Sequence, residues 1–146
     1  MNKESGSMPN IQQAVPFFRV SSIASSVRFY VDGLGGEIHH QWKVDGKLRW
    51  CWLKLGDTAV MLQEILPGSL QGVRAEEKRG VGVTICFQCR DALALYKTLC
   101  NRGLCPKRPF VGNGMWVTSL TDPDGYHLEF ESFTDVPEET EYTEEA

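Results

Sequence analysis

FRVSSIASSVRFYVDGLGG (Phe18–Gly36) predicts a strand followed by a helix and is the clearest structural pattern in the chain. It opens as a short apolar strand, and Ser21 and Ser22 follow as residues that favour a helix N-cap. Apolar residues then recur at steps of three and four, which is the pattern of one face of an α-helix. They are Ile23, Val27, Tyr30, Val31 and Leu34. Gly35 and Gly36 end the helix, because glycine accepts the left-handed backbone found at helix C-termini.

Three strands are predicted after this helix, over residues 37–44, 47–55 and 58–65. Asp45-Gly46 is a strong hairpin signal between the first two. Gly56-Asp57 makes a second tight turn before the third strand. With two residues in that turn, Trp52 opposes Met61 and Trp50 opposes Gln63, and opposed residues lie on one face of a sheet.

The same order of elements recurs in the second half of the chain. We predict a strand over residues 81–89, a helix over 91–102 ended by Gly103, and a short edge strand within 105–111 that is broken by prolines. Strands over 115–121 and 126–133 follow, joined by a turn at Asp122-Pro123-Asp124-Gly125. The helices align when Tyr30 is matched with Tyr96, which indicates an internal repeat.

The predicted fold class is therefore α+β, with two tandem βαβββ modules forming a curved mixed sheet around a cavity. Module 1 covers about residues 14–66 and module 2 about residues 80–133, within one domain over 14–133. Each helix has to cover one face of its sheet, and we call the opposite face the concave face. In the last strand His127, Glu129 and Glu131 share the concave face, because alternate residues of a strand point the same way. The concave-face residues predicted for the fifth strand are Thr84, Cys86 and Gln88.

The two ends of the chain are predicted to be tails. Residues 1–13 are polar, lack the apolar core of a signal peptide, and are expected to be disordered. Residues 134–146 form an acidic C-terminal tail, which we expect to be solvated. Its acids are Asp135, Glu138, Glu139, Glu141, Glu144 and Glu145.

Charge and composition exclude several classes of function. The net charge is −4, and the body without the acidic tail is close to neutral, so nothing resembles the clustered basic face of a nucleic-acid-binding protein. No apolar run is long enough for a membrane helix. The five cysteines are odd in number, which favours free thiols and a cytoplasmic location.

Three motifs together resemble the glyoxalase/bleomycin-resistance/extradiol-dioxygenase superfamily, whose members are called vicinal oxygen chelate proteins. They are Phe18–Gly36, GDTAVMLQE (Gly56–Glu64) and TDPDGYHLEFES (Thr121–Ser132). Metal-dependent members of that family take His, Glu or Gln ligands from the first, fourth, fifth and eighth strands. The positions here that match are Val15, Met61, Thr84 and Glu129. Because only Glu129 is a usual ligand, the resemblance points to the metal-free, drug-binding members.

Two classes of function remain open. The first is a protein that binds a small, aromatic or cationic molecule, with Trp50 and Trp52 stacking on it and no cofactor. The expected ligand-binding residues are Trp50, Trp52, Met61, Gln63, Thr84, His127 and Glu129. Both tryptophans fit equally well as ordinary core residues. A homodimer is also expected, because in the family the full hollow often forms between modules of different subunits.

The second class is an enzyme. Glu129 would serve as the catalytic base of a metal-free acid/base enzyme. Alternatively, a lyase or dioxygenase would hold a divalent metal with His40, His127 and Glu129, although only one of His39 and His40 can face the cavity. A zinc site that uses Cys86-x-x-Cys89 with Cys100 and Cys105 is disfavoured, because strand residues three apart face opposite ways.

Overall fold

The computed structural model describes residues 8–68 and 77–144. The elements of the first module are β1 (Phe17–Val20), helix α1 (Ile23–Val27) with a π-helical turn (Arg28–Gly33), β2 (Glu37–Val44), β3 (Lys47–Leu55) and β4 (Thr58–Glu64). Those of the second module are β5 (Thr84–Gln88), α2 (Ala92–Asn101), β6 (Phe110–Gly112), β7 (Met115–Thr121) and β8 (His127–Phe133). Neither described helix is long and apolar enough to cross a membrane.

The two modules have the same topology. Each forms a four-stranded sheet, in the order β1-β4-β3-β2 for the first and β5-β8-β7-β6 for the second. The first strand of each module pairs in parallel with the last, and all other pairs are antiparallel. A helical crossover between the first strand and the later ones permits that parallel pair. The predicted α+β fold of two βαβββ modules is therefore confirmed.

The helices start alike and end differently. Ser22 Oγ accepts the backbone N–H of Ser25, and the Asp91 carboxylate accepts that of Ala94, so both helices have a side-chain N-cap. Each helix is followed by a glycine with positive φ, at Gly35 and Gly103. The interval from cap to glycine is one residue longer in the first module. The π-helical turn absorbs that extra residue.

The caps also correct the predicted alignment of the two helices. Tyr30 lies eight positions after its N-cap, and the residue at the same distance from Asp91 is Leu99 rather than Tyr96. Tyr30 and Leu99 are both fully buried, whereas Tyr96 is half-buried. The shared tyrosine was misleading because a repeat is defined by positions in the fold rather than by matching letters.

One apolar core joins the helix-side faces of both sheets. Its buried members are Phe18, Val20, Ile23, Tyr30, Cys51, Leu53, Val60, Leu62, Phe87, Leu99, Leu120, Leu128 and Phe130. Burying an aliphatic or aromatic side chain of this size contributes about 1.5–3 kcal/mol. The core is thus continuous across the two modules.

Polar contacts across the module boundary centre on Asp122, in the turn before β8. The buried Tyr30 hydroxyl donates to Asp122 Oδ2 at 2.8 Å, and the backbone N–H groups of Asp124 and Tyr126 donate to Oδ1 at 2.9 Å. Tyr126 in turn donates its hydroxyl to the Arg19 carbonyl at 2.8 Å and stacks on Phe18. Burial raises the pKa values of Asp122 and Tyr30, the latter helped by the Asp122 charge.

Two strands and the C-terminal segment differ from their predictions. The strand expected over 81–89 is shorter and begins at Thr84, and the edge strand within 105–111 is confined to Phe110–Gly112. Residues 134–144 are not a free solvated end. Backbone hydrogen bonds join Val111 to Glu139 and Thr140, Glu138 accepts the N–H of Gly114 at 2.9 Å, and Tyr142 packs on Trp116. Of the predicted tail over 1–13, residues 1–7 lie outside the described residues. Residues 8–13 are described and are exposed.

Candidate functional site

The concave face of the first sheet carries aromatic side chains. Trp52 lies opposite Met61 and Trp50 lies opposite Gln63, so the register predicted from the Gly56-Asp57 turn is confirmed. These four side chains are half-buried. They form a surface in which the two indole rings lie beside the flexible side chains of Met61 and Gln63.

The neighbouring strands extend that surface. A bulge at His39 in β2 brings His40 opposite Trp52, with 6.5 Å between their rings, and brings the 54% exposed Trp42 opposite Trp50. His39 sits in an exposed position with Glu37. The structure therefore places His40, rather than His39, in the row of Trp52 and Met61. Sequence reasoning could not choose between them because a bulge reverses alternation.

Phe17 and Arg19 complete this face from β1. Phe17 pairs with Met61 and Arg19 pairs with Gln63, and the Arg19 guanidinium lies 4.3 Å from the Phe17 ring centroid. Neither was among the predicted ligand-binding residues. Their signal was present in the alternation of the first strand, where Phe18 and Val20 are the buried positions.

The concave face of the second sheet is acidic. β5 and β8 pair so that Thr84 lies beside His127, Cys86 beside Glu129 and Gln88 beside Glu131. Gln88 Nε2 donates to Glu131 Oε1 at 3.0 Å. The Cys86 thiol lies 3.7 Å from Glu129 Oε1. Partial burial, then the charges of Glu131 and Glu129, raise the pKa of Cys86.

A cavity of about 360 Å³ opens on this second sheet. Thr84, His127 and Glu129 line it together, with Lys107 as a basic group on its wall. All its described lining residues belong to the second module. The predicted ligand-binding residues thus fall into two sets. Thr84, His127 and Glu129 share this cavity, and the set on the first sheet is Trp50, Trp52, Met61 and Gln63.

A second cavity, of about 540 Å³, lies where the modules meet. Leu34 and Leu55 line it from the first module, and Leu95, Phe87 and Phe130 line it from the second. No sequence pattern predicted it, because it depends on how the two modules pack. Its walls are mainly apolar, so it can take apolar groups but offers few directional contacts.

With the fold and these surfaces in view, comparison with known proteins assigns the family. The family model described as the Glyoxalase/Bleomycin resistance protein/Dioxygenase superfamily matches residues 11–130. The chain belongs to this superfamily. Among curated proteins, none matches the sequence significantly.

Several solved structures share the fold at low identity. The bleomycin-binding protein of Streptomyces verticillus, complexed with copper(II)-bleomycin, has a TM-score of 0.66 and 16% identity, covering 87% of this chain and 100% of that chain. TnmS3, an antibiotic binding protein from Streptomyces sp. CB03234, has a TM-score of 0.61 and 18% identity, covering 87% and 100%. Lactoylglutathione lyase from Agrobacterium tumefaciens has a TM-score of 0.61 and 15% identity, covering 85% and 96%. Proteins with this fold thus include both binding proteins and an enzyme.

The superfamily's usual metal position does not fit the residues present here. Val15 and Met61 offer no oxygen or nitrogen side-chain donor, and Thr84 offers a weak one, which leaves Glu129 alone. Within residues 8–68 and 77–144, the donor atoms close enough to share an ion belong instead to Cys86, Glu129 and Glu131. Neither His40 nor His127 belongs to that group.

Proposed function

We propose that this protein binds a small aromatic molecule that carries a cationic group, and that it does so without the superfamily's usual metal. The observation that carries this proposal is the contrast between the two concave faces, one aromatic and one acidic. Aromatic walls with a few charged points are typical of small-molecule sites.

The first sheet would supply stacking. The indole rings of Trp50 and Trp52 offer flat apolar area and attract cations to their faces, at about 0.5–2 kcal/mol for each close cation. Half-burial leaves both rings accessible to a guest. Gln63 and Met61 beside them would provide a polar contact and an adaptable apolar one.

The second sheet would supply charge. Glu129 and His127 line the cavity, and a carboxylate there would pair with an ammonium or guanidinium group of the guest. Two of the structural neighbours carry names that describe antibiotic binding, and a cytoplasmic protein of this kind would hold its ligand away from cellular targets.

We propose a homodimer as the arrangement that unites the two sets. The cavity with Glu129 is built from the second module, so a second copy would bring an aromatic face to it. Several large apolar side chains are exposed and would be covered in such a dimer. They are Ile38, Trp42, Val44 and Phe133, the last 85% exposed.

Fluorescence titration tests the binding proposal. Bleomycin, as one cationic and aromatic probe, is expected to quench tryptophan emission saturably. Trp52→Leu should weaken binding by about tenfold, as should Glu129→Gln. Trp116→Phe is the matched control, because Trp116 packs on Tyr142 away from the concave face. Equal affinity of the Trp52→Leu and Trp116→Phe variants for bleomycin would exclude the proposed site. The dimer is tested separately by sedimentation, and a monomer at micromolar concentration would exclude it.

An acid/base enzyme is the second candidate, favoured by the presence of His127, Lys107 and Glu129 around one cavity. A carboxylate beside a basic group can take and return a proton. Under this proposal Glu129→Gln would abolish turnover while leaving ligand affinity within about threefold. Loss of affinity without any measurable turnover in the parent protein would favour the binding function instead.

A further inference from the structure

Three potential ligand atoms converge on the concave face of the second sheet. The Cys86 sulfur and one carboxylate oxygen from each of Glu129 and Glu131 all lie within 4.8 Å of one another. The parallel pairing of β5 with β8 brings them together, because Cys86 and Gln88 lie beside Glu129 and Glu131. The cluster therefore rests on the register of two neighbouring strands rather than on a loop.

Within the part of the chain that the structure describes, no ion pair neutralises the carboxylates of this cluster. Glu131 is only 8% exposed, and Gln88 is its side-chain hydrogen-bond partner. Among the described residues, no Lys, Arg or His forms an ion pair with Glu129 or Glu131. Two neighbouring carboxylates, one of them buried, repel each other and have lost hydration, so an external cation would stabilise them.

The donor types narrow the choice of cation. A thiolate favours borderline and soft metals and disfavours Mg²⁺ and Ca²⁺, whereas carboxylates suit Zn²⁺ and its relatives. Donor atoms around tetrahedral Zn²⁺ lie about 3.5 Å apart, given metal–ligand bonds of about 2.0–2.3 Å. Small side-chain rotations would bring the three atoms from their present separations to that spacing.

We propose that Cys86, Glu129 and Glu131 bind one thiophilic divalent cation of the Zn²⁺ class. Gln88 holds the Glu131 carboxylate in position through its amide, as a positioning residue. Three protein ligands leave the fourth coordination position to water or to a donor atom of a guest.

This site is displaced from the superfamily's usual metal position. That position would use Thr84 of β5, whereas Cys86 is the next residue along the strand on the same face. The ion and a cationic guest would both require Glu129. Each should therefore weaken the binding of the other, by the same factor in both directions.

Cobalt substitution gives a direct test. The full chain, purified without a metal-affinity tag and treated with a chelator, is titrated with Co²⁺ under reducing conditions. We expect one ion per chain and a thiolate-to-metal charge-transfer band in the near ultraviolet. Cys86→Ser should abolish the band, and Glu131→Gln should weaken Co²⁺ binding by at least about tenfold. Cys100→Ser, which removes an exposed thiol from α2, should leave both unchanged.

A second measurement needs no variant. In the wild-type chain, Zn²⁺ should protect Cys86 from alkylation, as mapped by mass spectrometry, while Cys100 reacts at its usual rate. The proposal is overturned if no charge-transfer band forms, if the band survives Cys86→Ser, or if Zn²⁺ leaves Cys86 as reactive as before. These readouts use metal alone, so a failure of guest binding would not alter them.

Discussion

The two sheets place different chemistry at matching positions. On the concave face of the first sheet, one row of side chains runs across the strands. It consists of Phe17, Met61, Trp52 and His40. The equivalent row of the second sheet consists of Cys86, Glu129 and Ser119. Three rings and a methionine side chain fill the first row, and the smaller side chains of the second leave space beside the cavity that Glu129 lines. The shared fold thus sets where side chains stand, and the side chains alone set what each face can bind.

Breaking the link between the modules should have the largest effect. Asp122→Ala would leave the buried Tyr30 hydroxyl and the backbone N–H groups of Asp124 and Tyr126 without their acceptor. We expect a loss of about 3 kcal/mol in the free energy of unfolding, measured by urea denaturation. Asp57→Ala, in an exposed turn of the first module, is the control and should change stability by less than about 0.5 kcal/mol. Equal losses for the two variants would show that Asp122 does not join the modules.

Removing the anchor of the C-terminal segment should cost less. Tyr142 packs edge-on against Tyr96 and Trp116 of the second module, a contact that the first module lacks in the described residues. Tyr142→Ala should lower the free energy of unfolding by about 1–2 kcal/mol. The neighbouring exposed Thr143→Ala should be neutral. A neutral Tyr142→Ala would mean that the packing of Tyr142 on Tyr96 and Trp116 contributes no stability.

The two N-caps allow a like-for-like comparison of the modules. Ser22→Ala and Asp91→Ala each remove one side-chain acceptor from a helix start, at a cost of about 1 kcal/mol. Thermal unfolding of the two variants should therefore show similar shifts. A much larger shift for Ser22→Ala would indicate that the π-helical turn makes the first helix more dependent on its cap.

The smallest expected effect is a dependence on pH. Because burial raises the pKa of Asp122 in the folded chain, ionisation of this group opposes folding. Protonated Asp122 therefore contributes to the free energy of unfolding. This contribution is complete below the ordinary pKa of 3.8 and is lost as the pH rises through the pKa of Asp122 in the folded chain. Relative to Asp122→Asn, the wild-type chain should gain stability as pH falls toward 4. A difference in stability between the wild-type chain and Asp122→Asn that does not change with pH would contradict this expectation.

Most side-chain positions on the concave face of the first sheet could be predicted from the sequence. Fewer could be predicted for the second sheet. The Gly56-Asp57 turn fixed the pairing of Trp52 with Met61 because a two-residue turn leaves one register. The position of His40 did not follow, because the bulge in β2 leaves no mark in composition. Alternation assigned Cys86 and Glu129 to one face of their strands. Their meeting depended on β5 lying beside β8, which is a long-range pairing.

The C-terminal segment was the least predictable part. Its acids suggested a solvated end, since charge density is the main signal that composition gives. The contacts that place it are made by Tyr142 and by backbone groups, including the Val111 N–H that donates to Thr140. Backbone partners have no side-chain signature, so the sequence could not reveal them.

This segment has a consequence for how the chain meets its neighbours. Strand β6 ends one sheet, and residues 139–142 cover its open row of backbone groups. Strand β2 ends the other sheet and has β3 as its partner, so its outward N–H and C=O groups face solvent. An uncovered outer strand is a template for strand addition, with Lys43 as a charged residue that discourages it. Growth of this protein by strand pairing, whether orderly or as aggregates, can therefore start from β2.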